Sequence, residues 1–332
     1  VGPAPGGLVL APDGSLDLER SFVRVNYFSL LGDASVRNNV QRGVENRPVD
    51  FVAVRLPAES LGGAARGGED LRADEAVWLY GGRDRQALIL AREDATGRTR
   101  IKYLPVANLR QDGRGRVTFD RPQWAAGFPL KIWEDSRLEL PAGASREEWL
   151  AGWHTDEEWL LATHRTAYSN AVVGLHEQMA RHRTEATDPG APGLGDDERL
   201  IRRFRRRQRE LVENDLLILA NDHWNFDVRG FNPGGNHGSF FRASTHSVLM
   251  FAGGEATGIP RGLSVERPYD SLCLVPTLLA LTGQIEDGAR PVPVLWRRGF
   301  RDFPGRPVRE LFDAPREMQP PVAGSAAKES AP

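Results

Sequence analysis

Asp215-Leu-Leu-Ile-Leu-Ala-Asn-Asp-His-Trp-Asn-Phe-Asp-Val-Arg229, followed by Gly230-Phe-Asn-Pro-Gly-Gly-Asn-His237-Gly and then Val248-Leu-Met-Phe-Ala-Gly-Gly254, is the stretch on which the fold turns. Leu216–Ala220 is a short, unbroken apolar run, too short for a buried helix and suited to a strand covered on both faces. It stops at Asn221-Asp222-His223, which sets two metal-ligating residue types at the strand's C-terminal edge, where open α/β sheets place ligands. Fourteen residues on, in a loop rich in Gly, Asn and Pro, stands His237. Val248–Ala252 reads as a second interior strand, closed by Gly253-Gly254. Helix Asp196–Asn214 leads straight into the Leu216 run, a helix-to-strand step that predicts a parallel sheet.

Carboxylate oxygen and imidazole nitrogen suit Zn²⁺ and its neighbours, and a catalytic ion needs about three protein ligands. Asp222, His223 and His237 form such a set; an Asp-His pair that caps a helix is the plainer reading of the same residues. Arg229 and Arg242 flank the stretch, and a guanidinium fork suits phosphate or sulfate oxygens. Asn225, Asn232 and Asn236 are read as turn formers.

The order of these pieces, completed by Asp270-Ser-Leu-Cys-Leu-Val-Pro-Thr-Leu-Leu-Ala-Leu-Thr-Gly283, resembles the alkaline phosphatase superfamily, in particular its type I phosphodiesterase/nucleotide pyrophosphatase branch. The resemblance covers about residues 150 to 285. It implies an α/β fold with a mainly parallel sheet flanked by helices. It also implies a two-metal site, Zn or Mn, that takes a phosphate ester or phosphodiester, with His237, Asp222 and His223 as ligands and Arg229 and Arg242 toward the substrate. Tyr168-Ser-Asn170 and His176 fall where related enzymes have a helix bordering the site. Two departures stand out: Trp224 replaces the Gly that many members have after Asp-His, and the His-Gly lies closer to the Asp-His than is usual. The nearer alternatives are a sulfatase or phosphomutase; the alternative of another class is an interaction module without chemistry.

The family's nucleophile, a Thr or Ser at a helix start, has no clear counterpart. Asp13 and Ser35 keep the order but not the motif. The chain is therefore expected to be the C-terminal part of a longer enzyme, an incomplete domain that is inactive alone and needs an upstream segment.

Elsewhere, 43 Lys and Arg against 45 Asp and Glu leave a net charge of −2, with no general attraction to nucleic acid or anionic membrane. Cys273 is the single cysteine, so no intrachain disulfide forms, and no apolar run is long enough to span a membrane. Residues 1–144 are expected to form an N-terminal α/β segment, beginning with a strand at Ser21–Phe28 and a helix at Ser35–Val44. Phe51–Leu56, Ala76–Tyr80, Ala87–Ala91, Arg100–Leu104 and Arg116–Phe119 read as strands, with residues 70–120 a small antiparallel patch beside the core. Residues 145–312 are expected to be the C-terminal part of the α/β domain, and 313–332 a disordered tail.

Ser145-Arg-Glu-Glu148 and Thr155-Asp-Glu-Glu158 have capping-box form, and a further helix is expected over Tyr168–His182. The arginines from Arg202 to Arg209 are assigned to the solvated side of the Asp196–Asn214 helix. His176-Glu177 lacks the second histidine of a zincin helix, because position 180 is Ala.

Overall fold

The computed structural model describes residues 34–45, 48–61, 71–112, 116–122, 126–179, 192–196, 198–200, 202–203, 216–222, 238–253, 257–282 and 306–313, with Pro12, Gly190 and Asn214 singly. The chain divides into two compact units, Val1–Ser247 and Val248–Pro332. The first is built on one six-stranded sheet of order β5-β4-β3-β2-β1-β6, from β1 (Val49–Leu56), β2 (Glu75–Tyr80), β3 (Gln86–Glu93), β4 (Thr99–Gln111), β5 (Val117–Asp120) and β6 (Leu216–Ala220).

Every pairing in this sheet is antiparallel, including β1 with β6. The mainly parallel, alkaline phosphatase-like sheet expected from the sequence is therefore wrong. Residues 70–120, taken as a side patch, supply four of the six strands. The error has a physical cause. A continuous apolar strand reports burial on both faces, and in this protein both faces of an antiparallel sheet are covered. Direction is set by the connections instead. β2 turns into β3 through Gly81–Arg85 and β3 into β4 through Asp94–Arg98, links far too short for the crossover a parallel pair requires.

The strand alternation sorts residues between two cores. On one face Phe51, Ala53, Val77, Leu79, Ile89, Ile101, Tyr103 and Leu219 pack under the helices. On the other, Val52, Val54, Leu56, Trp78, Tyr80, Leu88, Leu90 and Val106 pack with Val36 and Val40 of α1 (Ala34–Glu45). The first face is covered by α2 (Arg146–Ala151), α3 (Asp156–Thr163) and α4 (Ala171–Met179).

Ser145 and Thr155 both cap their helices, and the full box forms at Thr155. The Ser145 hydroxyl accepts from the Glu148 amide, and Thr155 makes the reciprocal box with Glu158. Trp159, fully buried, donates its Nε1–H to the Ile101 carbonyl at 2.9 Å and meets Trp149 edge-on at 4.8 Å. His154 exchanges both backbone bonds with Ile101, so it occupies the outer side of β4 where β5 does not reach. On the opposite side of the sheet, β6 is the last described strand, and Ile218 is half exposed.

Leu216–Ala220 is thus a strand as expected, but among the described residues it stands at the edge of the sheet rather than in its interior. Val248–Ala252 is not a strand at all: it is irregular, with Val248 89% and Met250 80% exposed. The second unit has a small core of Cys273, Val308 and Leu311, ringed by Phe251, Ile259, Val265, Tyr269 and Phe312. Its main helix, α6 (Leu274–Leu281), follows a 3-10 turn whose Asp270 side chain accepts from the Leu272 amide. In numbering, α5 is Arg242–Thr245 of the first unit and α7 is Glu310–Asp313 of the second.

Of the expected Asp196–Asn214 helix, residues 196, 198–200 and 202–203 are helical and Asn214 is not, and Arg202 pairs with Glu198 at 3.0 Å. The Ser21–Phe28 strand and the 313–332 tail lie outside the described residues, Asp313 excepted. No described helix is long and apolar enough to cross a membrane.

Candidate functional site

The site is organised by one irregularity in β1. Val49 pairs with Ala220 and Phe51 with Leu219, so two steps along β1 match one along β6, and Asp50 is the extra residue. Such a bulge re-aims a side chain, and bulges gather at sheet edges and beside active sites. Here it takes a carboxylate from the strand and buries it, 3% exposed, against residues of three other segments.

Tyr168, just before α4, donates its hydroxyl to Asp50 Oδ2 at 2.5 Å. Arg85, in the β2–β3 turn, approaches Asp50 Oδ1 at 3.4 Å and donates Nε–H to the Gly127 carbonyl at 2.8 Å. The turn must come close: a Cβ on Gly81 would sit 3.2 Å from the Arg85 carbonyl oxygen and 3.3 Å from that of Asp50. Exposed Lys131 adds a second cation within electrostatic range of Asp50. It follows Leu130, and both residues are in the left-handed region at φ 48 and 67. Non-glycine residues seldom take that conformation, and it concentrates at functional positions.

Burial raises the Asp50 carboxyl above its ordinary value, against the opposing pull of the Tyr168 bond and of Arg85 and Lys131. Burial and then the Asp50 carboxylate push the Tyr168 hydroxyl far above its usual range, and Asp222 adds to that push.

Asp222 itself is exposed, two residues past the end of β6. Its amide bonds to the Asn221 side chain at 2.9 Å, and the Asn221 amide donates to the Pro48 carbonyl at 3.0 Å. Arg242, also exposed, opens α5, and its amide donates to the Ala167 carbonyl at 2.7 Å. Phe241 lies 4.7 Å from the Tyr168 ring, and Ser169 Oγ meets Thr245 Oγ1 at 2.5 Å. Phe240 reaches Gly174 of α4 so closely that an added Cβ there would stand 2.7 Å from its ring.

The structure thus seats Asp222 and Arg242 on neighbouring segments, one tied to the start of β1 and one to residues 167–169. His223, Arg229 and His237 lie outside the described residues. Among the described residues no group of three or more His, Cys, Asp or Glu is arranged to hold a metal. Of the expected ligand set, Asp222 alone lies among the described residues, as an exposed carboxylate whose amide bonds to the Asn221 side chain just past a strand end.

The remaining candidates have structural partners. His176 Nε2 lies 2.7 Å from Glu75 Oε2 across α4 and β2. Ser35 is the second residue of α1 and is exposed. Asp50 and Arg85 were missed by the sequence reading. The signal for Asp50 was a carboxylate at the head of an otherwise apolar strand, Val49-Asp50-Phe51; Arg85 and Lys131 carry no local signal.

Compared with known proteins, the chain matches no protein-family model, no curated protein and no solved structure.

Proposed function

We propose that this chain carries part of a metal-dependent hydrolase site for phosphate esters or phosphodiesters. The observation that supports it is Asp222, an exposed carboxylate at the mouth of β6, immediately before His223 and beside the segment that carries exposed Arg242.

In this reading Asp222, His223 and His237 hold divalent metal, and Arg242 with Arg229 binds the ester's oxygens as charge-assisted forks. The bound ion supplies Lewis-acid stabilisation of charge on the phosphoryl oxygens. The protein's own residues bind and orient: Arg242 is fixed through its backbone to Ala167 and presents its side chain at the surface.

Binding tests this without requiring turnover. With Mn²⁺ or Zn²⁺ present, the chain should bind p-nitrophenyl phosphate, and Arg242→Ala should weaken that binding roughly tenfold, the order of a lost charge-assisted hydrogen bond. Binding that ignores the metal, or no binding at all, overturns the reading.

A further inference from the structure

Asp50 poses a problem that packing alone does not answer. A carboxylate in a sheet core carries a desolvation cost, and an apolar residue would fit the strand pattern on either side of it. What Asp50 does reach is Tyr168, and the positions of the two residues are informative. Asp50 lies two residues from Pro48, whose carbonyl holds the Asn221 amide next to Asp222. Tyr168 follows Ala167, whose carbonyl holds the Arg242 amide, and its ring meets Phe241. The bond between Tyr168 Oη and Asp50 Oδ2 therefore joins the segment that presents Asp222 to the segment that presents Arg242.

We propose that Asp50 is a positioning residue: turned inward by the β1 bulge and held by Arg85, it uses the Tyr168 hydroxyl to fix the spacing between Asp222 and Arg242. The consequence for metal and phosphate rests on the function proposed above; the mechanical link does not. Its distinguishing feature is chemical. Asn at position 50 still offers an acceptor to Tyr168, whereas Ala offers none, so a positioning role separates two variants that both remove the charge.

The test uses the 332-residue chain as wild type, Tyr168→Phe, Asp50→Ala and Asp50→Asn. Hydrogen exchange is followed in peptides covering 216–222 and 240–246, with β3 and β4 as internal reference. The expected result is about tenfold faster exchange in both segments for Tyr168→Phe and Asp50→Ala, with Asp50→Asn close to wild type and the reference unchanged. Unchanged exchange in either segment, equal effects of Asn and Ala, or equal acceleration in β3 and β4 overturns the proposal.

Mn²⁺ titration of the same proteins reads the functional consequence. Several-fold weaker binding in Tyr168→Phe supports it, and equal binding despite faster exchange overturns the positioning role at the metal. If wild type binds no Mn²⁺, the hydrolase reading falls, while the exchange result still decides the mechanical link.

Discussion

The two units of this protein differ most in what surrounds their helices. In the first, each face of the sheet has its own core, and residues such as Phe51, Leu79, Leu88 and Ile89 have no solvent exposure at all. Among the described residues of the second, Cys273, Val308 and Leu311 form the apolar centre, and α6 leaves Leu274, Val275 and Leu278 more than 40% exposed. Apolar burial contributes roughly 25 cal/mol per Å², so stability should be concentrated in the first unit. The second depends more on individual polar links.

That contrast can be broken most forcefully at Trp159. It is fully buried, stacks edge-on with Trp149 and carries a bond to the Ile101 carbonyl. Trp159→Ala should cost about 3–5 kcal/mol. Chemical denaturation followed by circular dichroism should show the sheet's transition shifted by that amount; a shift under about 1 kcal/mol would mean α3 adds little to the sheet.

The matching change in the second unit is Thr277→Val. The Thr277 hydroxyl donates to the Cys273 carbonyl at 2.6 Å and accepts from the Val308 amide at 3.0 Å, joining α6 to the segment before α7. An isosteric Val leaves the Val308 amide unsatisfied, at a cost of about 1–3 kcal/mol. Exchange of amides 306–313 should accelerate, with β3 and β4 as the reference.

Two titrations sharpen the comparison on a smaller scale, both within the first unit. Burial would raise the Asp135 carboxyl, but the Arg137 fork and the amides of Ala167 and Arg137 outweigh it and bring it down to about 2. Its contribution to stability is therefore present above the ordinary value of 3.8 and is lost as pH falls from there toward 2. Because Asp135 holds the Ala167 amide, acid unfolding should release residues 167–169 early, and Asp135→Asn should flatten that limb of the stability curve.

His154 shifts in the same direction, but through burial of a base rather than pairing of an acid. Burial lowers it below 6.5, against its bond to the Trp149 carbonyl and the nearby Glu158. The folded state favours the neutral ring, so stability is full above pH 6.5 and declines as pH falls through the window below it. His154→Phe, which keeps a ring over Trp149, should remove that dependence from the unfolding midpoint between pH 8 and 5. A slope unchanged in the variant would reassign it elsewhere.

The parts of the fold that could be read from the sequence are those set by local chemistry. The helix caps at Ser145 and Thr155, the turns at Gly81-Gly82 and Ala95–Gly97, and the strands of residues 51–119 all depend on neighbours within a few positions. Strand direction was legible for residues 70–120, whose short turns predict antiparallel pairing, but not for Leu-Leu-Ile-Leu-Ala, which looks the same in a parallel sheet and in an antiparallel one buried on both faces. The Val248–Ala252 run shows the complementary failure. Its composition is that of a strand, but pairing is a property of the partner, and in this structure it is irregular and exposed.

The site divided in the same way. Asp222 was marked by its place after an apolar run, and Arg242 by its place near the histidines. The Asp50–Tyr168 bond spans 118 positions and depends on a bulge, which no local pattern announces.

The most direct measurement is metal binding by calorimetry with a double-variant cycle at Asp222 and His237. Wild type is expected to bind Zn²⁺ or Mn²⁺, Asp222→Ala and His237→Ala each to abolish or severely weaken binding, and the double variant to be no worse than the single ones, as ligands of one ion require. Undiminished binding in either single variant, or no binding by wild type, would contradict that expectation.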